Sequence, residues 1–203
     1  MNIEKIMVIG TGQMGIGIVQ VLAQSGYQVY LNNIKVESVK NGFSKIEKRF
    51  QRLVEKEKLT PNEVEVALSN ITPSFSFEDA KDVDLIIEAV TENLELKLDI
   101  FKQLDVIVPA DTILASNTSS LSITKIARAT NRPNKVIGTH FFNPVTLMKL
   151  VEVTAGAETD VETIESIKLL CEKLNKTVII AKDSPGFVVN RILIPMINEA
   201  ILV

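Results

Sequence analysis

Three glycines in the pattern Gly10-x-Gly12-x-x-Gly15 stand between a short apolar run, Lys5-Ile6-Met7-Val8-Ile9, and a segment of helical spacing over residues 13–25. No other feature limits the fold so much. A run that is apolar at every position, rather than at alternate ones, belongs to a strand buried on both faces, as in a parallel sheet. Gly10 permits the tight turn out of that strand. Gly12 lets a ligand approach the main chain, and Gly15 lets the helix pack closely on the strand. A second apolar run, Val29-Tyr30-Leu31, completes a strand, helix, strand unit. In that setting the turn reads as a dinucleotide site. The amides and dipole of the helix that opens at Gln13 and Met14 hold the phosphates.

Further runs of the same kind recur at 84–88, 112–115, 135–138, 150–153 and 177–180, separated by helical segments at 94–107, 122–129 and 160–174. Strands alternating with helices predict an α/β fold, a Rossmann-type, doubly wound, mostly parallel sheet. Two stretches interrupt the rhythm. Residues 35–69 are charged and helix-rich, with Ile46, Phe50, Leu53 and Val54 on one stripe and a second helix start at Thr60-Pro61. They predict a helical hairpin inserted in the domain and projecting from the sheet. Asp183-Ser184-Pro185-Gly186 forms a turn, after which the apolar run from Phe187 to Val203 predicts a helix that tolerates Pro195 as a kink. The expected organisation is a nucleotide-binding domain over 1–184 and the first helix of a second domain over 185–203.

Composition removes several classes of function. The net charge of −3, with basic and acidic residues interspersed, offers no field for nucleic acid. No apolar run reaches the roughly 18–20 residues needed to span a bilayer, and the amino terminus lacks a signal-peptide pattern. The chain reads as cytoplasmic, with no membrane partner. One cysteine, Cys171, excludes an internal disulfide, and one histidine beside it makes a zinc site improbable.

At the end of the second strand an acid ordinarily takes both ribose hydroxyls and repels a 2′-phosphate. This chain has Asn32-Asn33 there, with Lys35 close by. A neutral amide contributes roughly 0.5–1.5 kcal/mol, against about 1.5–3 for a bond to a charged group. Asn33 is therefore expected to hold NAD less tightly and to lower the barrier to NADP, unless neighbouring residues restore the selectivity.

The one histidine, His140, follows a buried strand in Gly138-Thr139-His140-Phe141-Phe142-Asn143-Pro144. Ligands of open α/β sheets sit beyond the carboxyl ends of strands, and an imidazole there suits a general base that takes a hydroxyl proton while hydride leaves the same carbon. Glu152, in the next strand, is placed to orient the ring. Ser116-Asn117-Thr118-Ser119-Ser120 supplies neutral donors at the same edge. The residues alone leave two readings open at each point: His140 as base or as a core histidine, and the serine-rich segment as donors or as a helix cap.

Taken together, Ile113-Leu114-Ala115-Ser116-Asn117-Thr118-Ser119-Ser120-Leu121, His140-Phe141-Phe142-Asn143-Pro144, Met148-Lys149-Leu150-Val151-Glu152 and Pro185-Gly186-Phe187-Val188-Val189-Asn190-Arg191 resemble the signature segments of the 3-hydroxyacyl-CoA dehydrogenases, especially the bacterial 3-hydroxybutyryl-CoA dehydrogenases. The resemblance runs in order along the whole chain. It implies NAD-dependent, reversible oxidation of an (S)-3-hydroxyacyl-CoA to the 3-oxoacyl-CoA. His140 is then the base and Glu152 its orienting carboxylate, while Ser119 and Asn190 bind the 3-oxygen. It also implies that Glu92, Lys97, Asn117 and Asn143 contact the nicotinamide half. Basic residues of the hairpin, Arg49, Arg52, Lys56 and Lys58, are implied to meet the phosphates of coenzyme A. The residues themselves read otherwise in places: Glu92 as an acid favoured by a helix dipole, Lys97 as a solvated charge, and the hairpin bases as a solvated face alternating with acids.

The chain departs from the family pattern in two ways. Asn33 stands where the pattern has aspartate, and the family's carboxyl-terminal helical domain is represented only by its first helix. An unpartnered apolar helix over 187–203 is expected to drive homo-oligomerisation. The alternative to an enzyme is a cofactor-binding subunit completed by a separate helical domain. A dehydrogenase of small 3-hydroxy acids is disfavoured by the Ser119, His140 and Asn190 set, because that class relies on a catalytic lysine.

Overall fold

The structure, a computed structural model, describes residues 2–203. Its elements follow in the order β1 (Lys5–Ile9), α1 (Gln13–Gln24), β2 (Gln28–Asn32), α2 (Val36–Glu55), α3 (Pro61–Ser69), β3 (Ile71–Ser74), β4 (Leu85–Glu88), α4 (Leu94–Ile107) and β5 (Ile113–Ser116). The chain continues through α5 (Ile123–Ala127), β6 (Val136–Phe141), β7 (Leu150–Ala155), α6 (Val161–Lys173), β8 (Thr177–Lys182) and α7 (Val189–Leu202). All eight strands form one sheet in the order β3-β2-β1-β4-β5-β6-β7-β8. From β1 the chain winds outward to β2 and β3, then returns to place β4 on the other side of β1. Clefts form at such a switch point, beyond the carboxyl ends of the strands.

The apolar runs behave as strands covered on both faces. In β1, Ile6 and Val8 enter one core and Met7 and Ile9 the other. Residues of α1, α2 and α6 close the first core, and those of α4 and α5 close the second. The result is three layers, the doubly wound arrangement expected from the alternation.

The hairpin does not project as expected. Ile46 and Phe50 of α2 are fully buried and belong to the first core, together with Val39 and, from α3, Ala67. Burying an Ile or Phe side chain stabilises by roughly 1.5–3 kcal/mol, which explains why an amphipathic α2 lies along α1 instead of extending into water. The second helix starts at the expected place. Thr60 accepts from the Glu63 amide at 3.3 Å, the Glu63 carboxylate accepts from the Thr60 amide at 2.7 Å, and Pro61 opens α3.

Two sheet features escape the periodicity. Ile71–Ser74 is too short to register, and Pro73 demotes it further, yet it pairs in parallel with β2 as the edge strand, where a missing amide is tolerated. The other is a reversal: β7 runs antiparallel to β6. Only residues 142–149 join them, and a parallel crossover needs about a dozen or more. In that register His140 is the direct cross-strand partner of Glu152.

The helix expected from Phe187 begins at Val189. Phe187 itself, at φ +49°, is buried in the second core and anchors the turn that follows Gly186. Beyond it α7 carries Pro195 internally and buries none of its residues. No helix among the described residues is long and apolar enough to cross a membrane.

Candidate active site

The glycine turn can be tested as a dinucleotide cradle by asking what a side chain would meet. At Gly10, where φ is +119°, a Cβ would lie 2.5 Å from the Ala89 carbonyl oxygen, and at Gly15 it would lie 1.9 Å from that of Gly10. Those two glycines are required by the protein's own backbone. A Cβ at Gly12 would meet nothing within 4 Å. It would enter a cleft of about 560 Å³ lined by Gly10, Thr11, Gly12, Asn33, Ala89 and Val90 among others. Gly12 is also the N-cap of α1, makes no side-chain cap, and is followed by no acid in the first turn. The first amides of α1 are left for an anion, as a pyrophosphate requires.

The two asparagines at the end of β2 divide their roles. Asn32 is fully buried, and its amide donates to Ser74 Oγ at 2.8 Å and to the Ser76 carbonyl at 3.1 Å, tying β2 to the edge. Asn33 faces the cleft. Its Oδ1 accepts from the Lys35 amide at 3.0 Å, and its Nδ2 lies 3.3 Å from Thr11 Oγ1. Lys35 and Ser38 line the same cleft.

A second cleft, of about 300 Å³, shares Ala89 and Val90 with the first. Met14, Glu92, Asn117, Ser119, His140, Asn143 and Asn190 line it. Seven of the residues singled out from the sequence, drawn from separate stretches of chain, meet here. Gln13, at the start of α1, donates from Nε2 to Asn143 Oδ1 of the second cleft at 3.0 Å.

His140 Nδ1 lies 2.7 Å from Glu152 Oε2, and Glu152 is fully buried. An ionised carboxylate only accepts, so the proton between them sits on Nδ1 and leaves Nε2 as the proton acceptor. The other carboxylate oxygen accepts from the amides of Val188 and Val189 at 3.0 and 2.9 Å. The start of α7 is thus held by the group that orients His140. Sequence reasoning did not see this bond, since amides leave no residue-type signal. Asn190, one residue into α7, donates to the Ser119 carbonyl at 3.3 Å.

Lys97 is placed differently from what the resemblance implied and from a solvated charge. It is 1% exposed and lines neither cleft. Its ammonium lies 2.7 and 2.9 Å from the two oxygens of Glu88, a fully buried residue that the sequence reading passed over as part of a strand. Glu88 also accepts from Ser116 Oγ at 2.6 Å and the Val90 amide at 2.7 Å. A charged residue closing an otherwise apolar strand was the signal available, because such a charge survives burial only when paired. Glu92 extends the network: Lys97 Nζ lies 3.5 Å away, and Glu92 accepts from Thr118 Oγ1 at 2.6 Å and from the Ser119 amide at 2.8 Å. Burial alone would raise the Glu92 carboxyl, but those hydrogen bonds and Lys97 outweigh it and hold it below its ordinary range.

On the hairpin, Arg52 and Lys56 are exposed near the end of α2 and line neither cleft. Arg49 is half-buried and lies against α1 at Gly17.

Residues 5–184 match the family model described as 3-hydroxyacyl-CoA dehydrogenase, NAD binding domain. The chain is 49% identical over 201 residues to a probable 3-hydroxybutyryl-CoA dehydrogenase of Bacillus subtilis (strain 168), covering 99% of this chain and 70% of that protein. It is 49% identical over 197 residues to a 3-hydroxybutyryl-CoA dehydrogenase of Clostridioides difficile, covering 97% of this chain and 70% of the other. Among solved structures, (S)-3-hydroxybutyryl-CoA dehydrogenase from Ralstonia eutropha superposes with a TM-score of 0.96 at 47% identity, over 98% of this chain and 70% of that one. With this glycine turn, this sheet and the paired His140 and Glu152, the chain belongs to the 3-hydroxyacyl-CoA dehydrogenase family.

Proposed function

We propose that the protein oxidises an (S)-3-hydroxyacyl-CoA, such as 3-hydroxybutyryl-CoA, reversibly to the 3-oxoacyl-CoA with NAD. The observation that carries this reading is the His140–Glu152 pair, 2.7 Å apart and opening on a cleft continuous with the glycine turn. When bound, the nicotinamide supplies the hydride acceptor. His140 Nε2 takes the proton of the 3-hydroxyl as the carbon becomes a carbonyl, and buried Glu152 stabilises the imidazolium so formed. Ser119 and Asn190 bind the 3-oxygen, and Asn117, Asn143 and Glu92 shape the nicotinamide end. For Ser119 this requires its hydroxyl, now 3.1 Å from Glu92, to turn toward substrate. Oxidation of NADH on addition of acetoacetyl-CoA tests the activity. His140→Gln tests the mechanism, and unchanged turnover in that variant would sink it.

Three finer readings belong with this one. Discrimination between NAD and NADP is weak, because the neutral Asn33, with Lys35 and Ser38 beside it, offers no charge to repel a 2′-phosphate. Parallel titrations with NADH and NADPH measure it, and a preference for NADH above about a hundredfold, roughly 2.7 kcal/mol, would refute it. Residues 1–184 form the cofactor domain and 185–203 open a second, helical one. The exposed apolar side chains of α7, among them Ile192, Ile194, Met196 and Ile201, favour self-association of this cytoplasmic chain. A monomer by light scattering at micromolar concentration would count against that association. The same exposed helix favours, as a second reading, a subunit that turns over only when a partner covers α7. The acetoacetyl-CoA assay of the chain by itself separates the two.

A further inference from the structure

Residues 142–149 leave the strand of His140 and return in the strand of Glu152, so their path sets one wall of the second cleft. They carry Asn143, which the side chain of Gln13 reaches from the glycine turn. On the α1 side, Val145 is 3% exposed and occupies the space that Gly17 leaves: a Cβ there would lie 3.0 Å from both Val145 Cβ and Cγ2.

On the opposite side the segment is held by Lys176, which immediately precedes β8. Lys176 is 9% exposed, and its ammonium donates to the carbonyls of Val145 at 2.5 Å and Met148 at 2.8 Å. The neighbouring Thr177 amide donates to the Lys149 carbonyl at 2.8 Å. Both side-chain partners are main-chain oxygens of this one segment. Burying an ammonium is costly, and an apolar side chain of similar length would fill the space without that cost. What the lysine adds is a fixed distance between two carbonyls.

We propose that Lys176 is a positioning residue for the nicotinamide end of the cleft: by holding the Val145 and Met148 carbonyls it sets the 143–148 segment, and with it Asn143, before the cofactor binds. This rests on the reading that the second cleft receives the nicotinamide. The adenosine end, around Asn33, shares no residue with the segment and is not under its control.

The test compares NADH with ADP-ribose, which lacks the nicotinamide, as ligands of wild type, Lys176→Met and Gly17→Ala. The second variant presses on Val145 from the α1 side and decides the matter if the first does not fold. NADH affinity is expected to fall about tenfold in each folded variant while ADP-ribose affinity stays within about twofold. The KM for NADH should rise with kcat at saturating NADH little changed. A parallel loss of both ligands, or an unchanged NADH affinity, would overturn the positioning role. Failure of wild type to bind NADH more tightly than ADP-ribose would instead overturn the assignment of the cleft.

Discussion

Replacing Gly12 and Gly15 by alanine in parallel would separate what the glycine turn does for the cofactor from what it does for the fold. Gly12 has φ −74° and ψ −176°, extended backbone that any residue adopts, and an added methyl meets nothing within 4 Å. Its only structural cost is that alanine caps a helix less well than glycine, about 1 kcal/mol or less. For a chain of this size that lowers Tm by roughly 2–4 °C. The methyl, however, enters the space from which a pyrophosphate would reach the first amides of α1. Losing one charge-assisted bond there costs about 1.5–3 kcal/mol, a fall in NADH affinity of roughly tenfold to a hundredfold. At Gly15 the methyl would lie 1.9 Å from the Gly10 carbonyl oxygen, so main chain rather than a flexible side chain must move. Overpacking of that kind costs about 3 kcal/mol or more, a Tm loss of roughly 6–12 °C. Thermal melting followed by circular dichroism and NADH fluorescence titration give both quantities. The reasoning fails if Gly12→Ala binds NADH like wild type, or if it melts as low as Gly15→Ala.

Glu152→Gln keeps the volume and can still accept from the Val188 and Val189 amides, but it turns an NH2 toward His140 Nδ1 and so moves the ring proton to Nε2. We expect kcat to fall by about a hundredfold or more with only a small change in Tm, and equal loss of both would point to a merely structural role. Lys97→Met leaves Glu88 buried and unpaired and should cost about 3–5 kcal/mol, whereas the double variant Glu88→Gln, Lys97→Met should recover much of it; urea unfolding reads the difference. Asp183 accepts from the amides of Ile123 and Thr124 at 2.9 and 2.8 Å. Burial pushes its carboxyl up, but bonds from Thr124, Ser122 and Ile123 bring it below its ordinary 3.8. A lowered carboxyl stabilises the fold above that value and ceases to as the pH falls through its folded value. Asp183→Asn should therefore melt lower than wild type at neutral pH, with the gap closing on acidification below about pH 4. A gap independent of pH would show that the charge is not what matters.

Much of the site was legible because its signals are local. A glycine turn has fixed spacing, and the sequence places it after an apolar strand and before a helix. His140 and Glu152 each announce themselves as ionisable groups at or near strand ends. The hairpin's apolar stripe was legible too, but not its destination: amphipathicity says that Ile46 and Phe50 will be buried, not against which surface. Ile71–Ser74 was missed since four residues with a proline carry no period.

By itself, then, the amino-acid sequence determined the strand and helix alternation, the dinucleotide turn, and the residue types able to exchange a proton. Those follow from backbone propensity, side-chain period and intrinsic chemistry, which act over a few residues. Tertiary structure decided which groups met. The reversal of β7 placed His140 opposite Glu152, buried Lys97 found Glu88 nine residues away, and the amides of Val188 and Val189, where α7 starts, came to Glu152 from 36 and 37 residues along the chain. Each of these pairings was selected by the cost of leaving a buried charge or amide unsatisfied, and that cost is known only once the whole chain has packed.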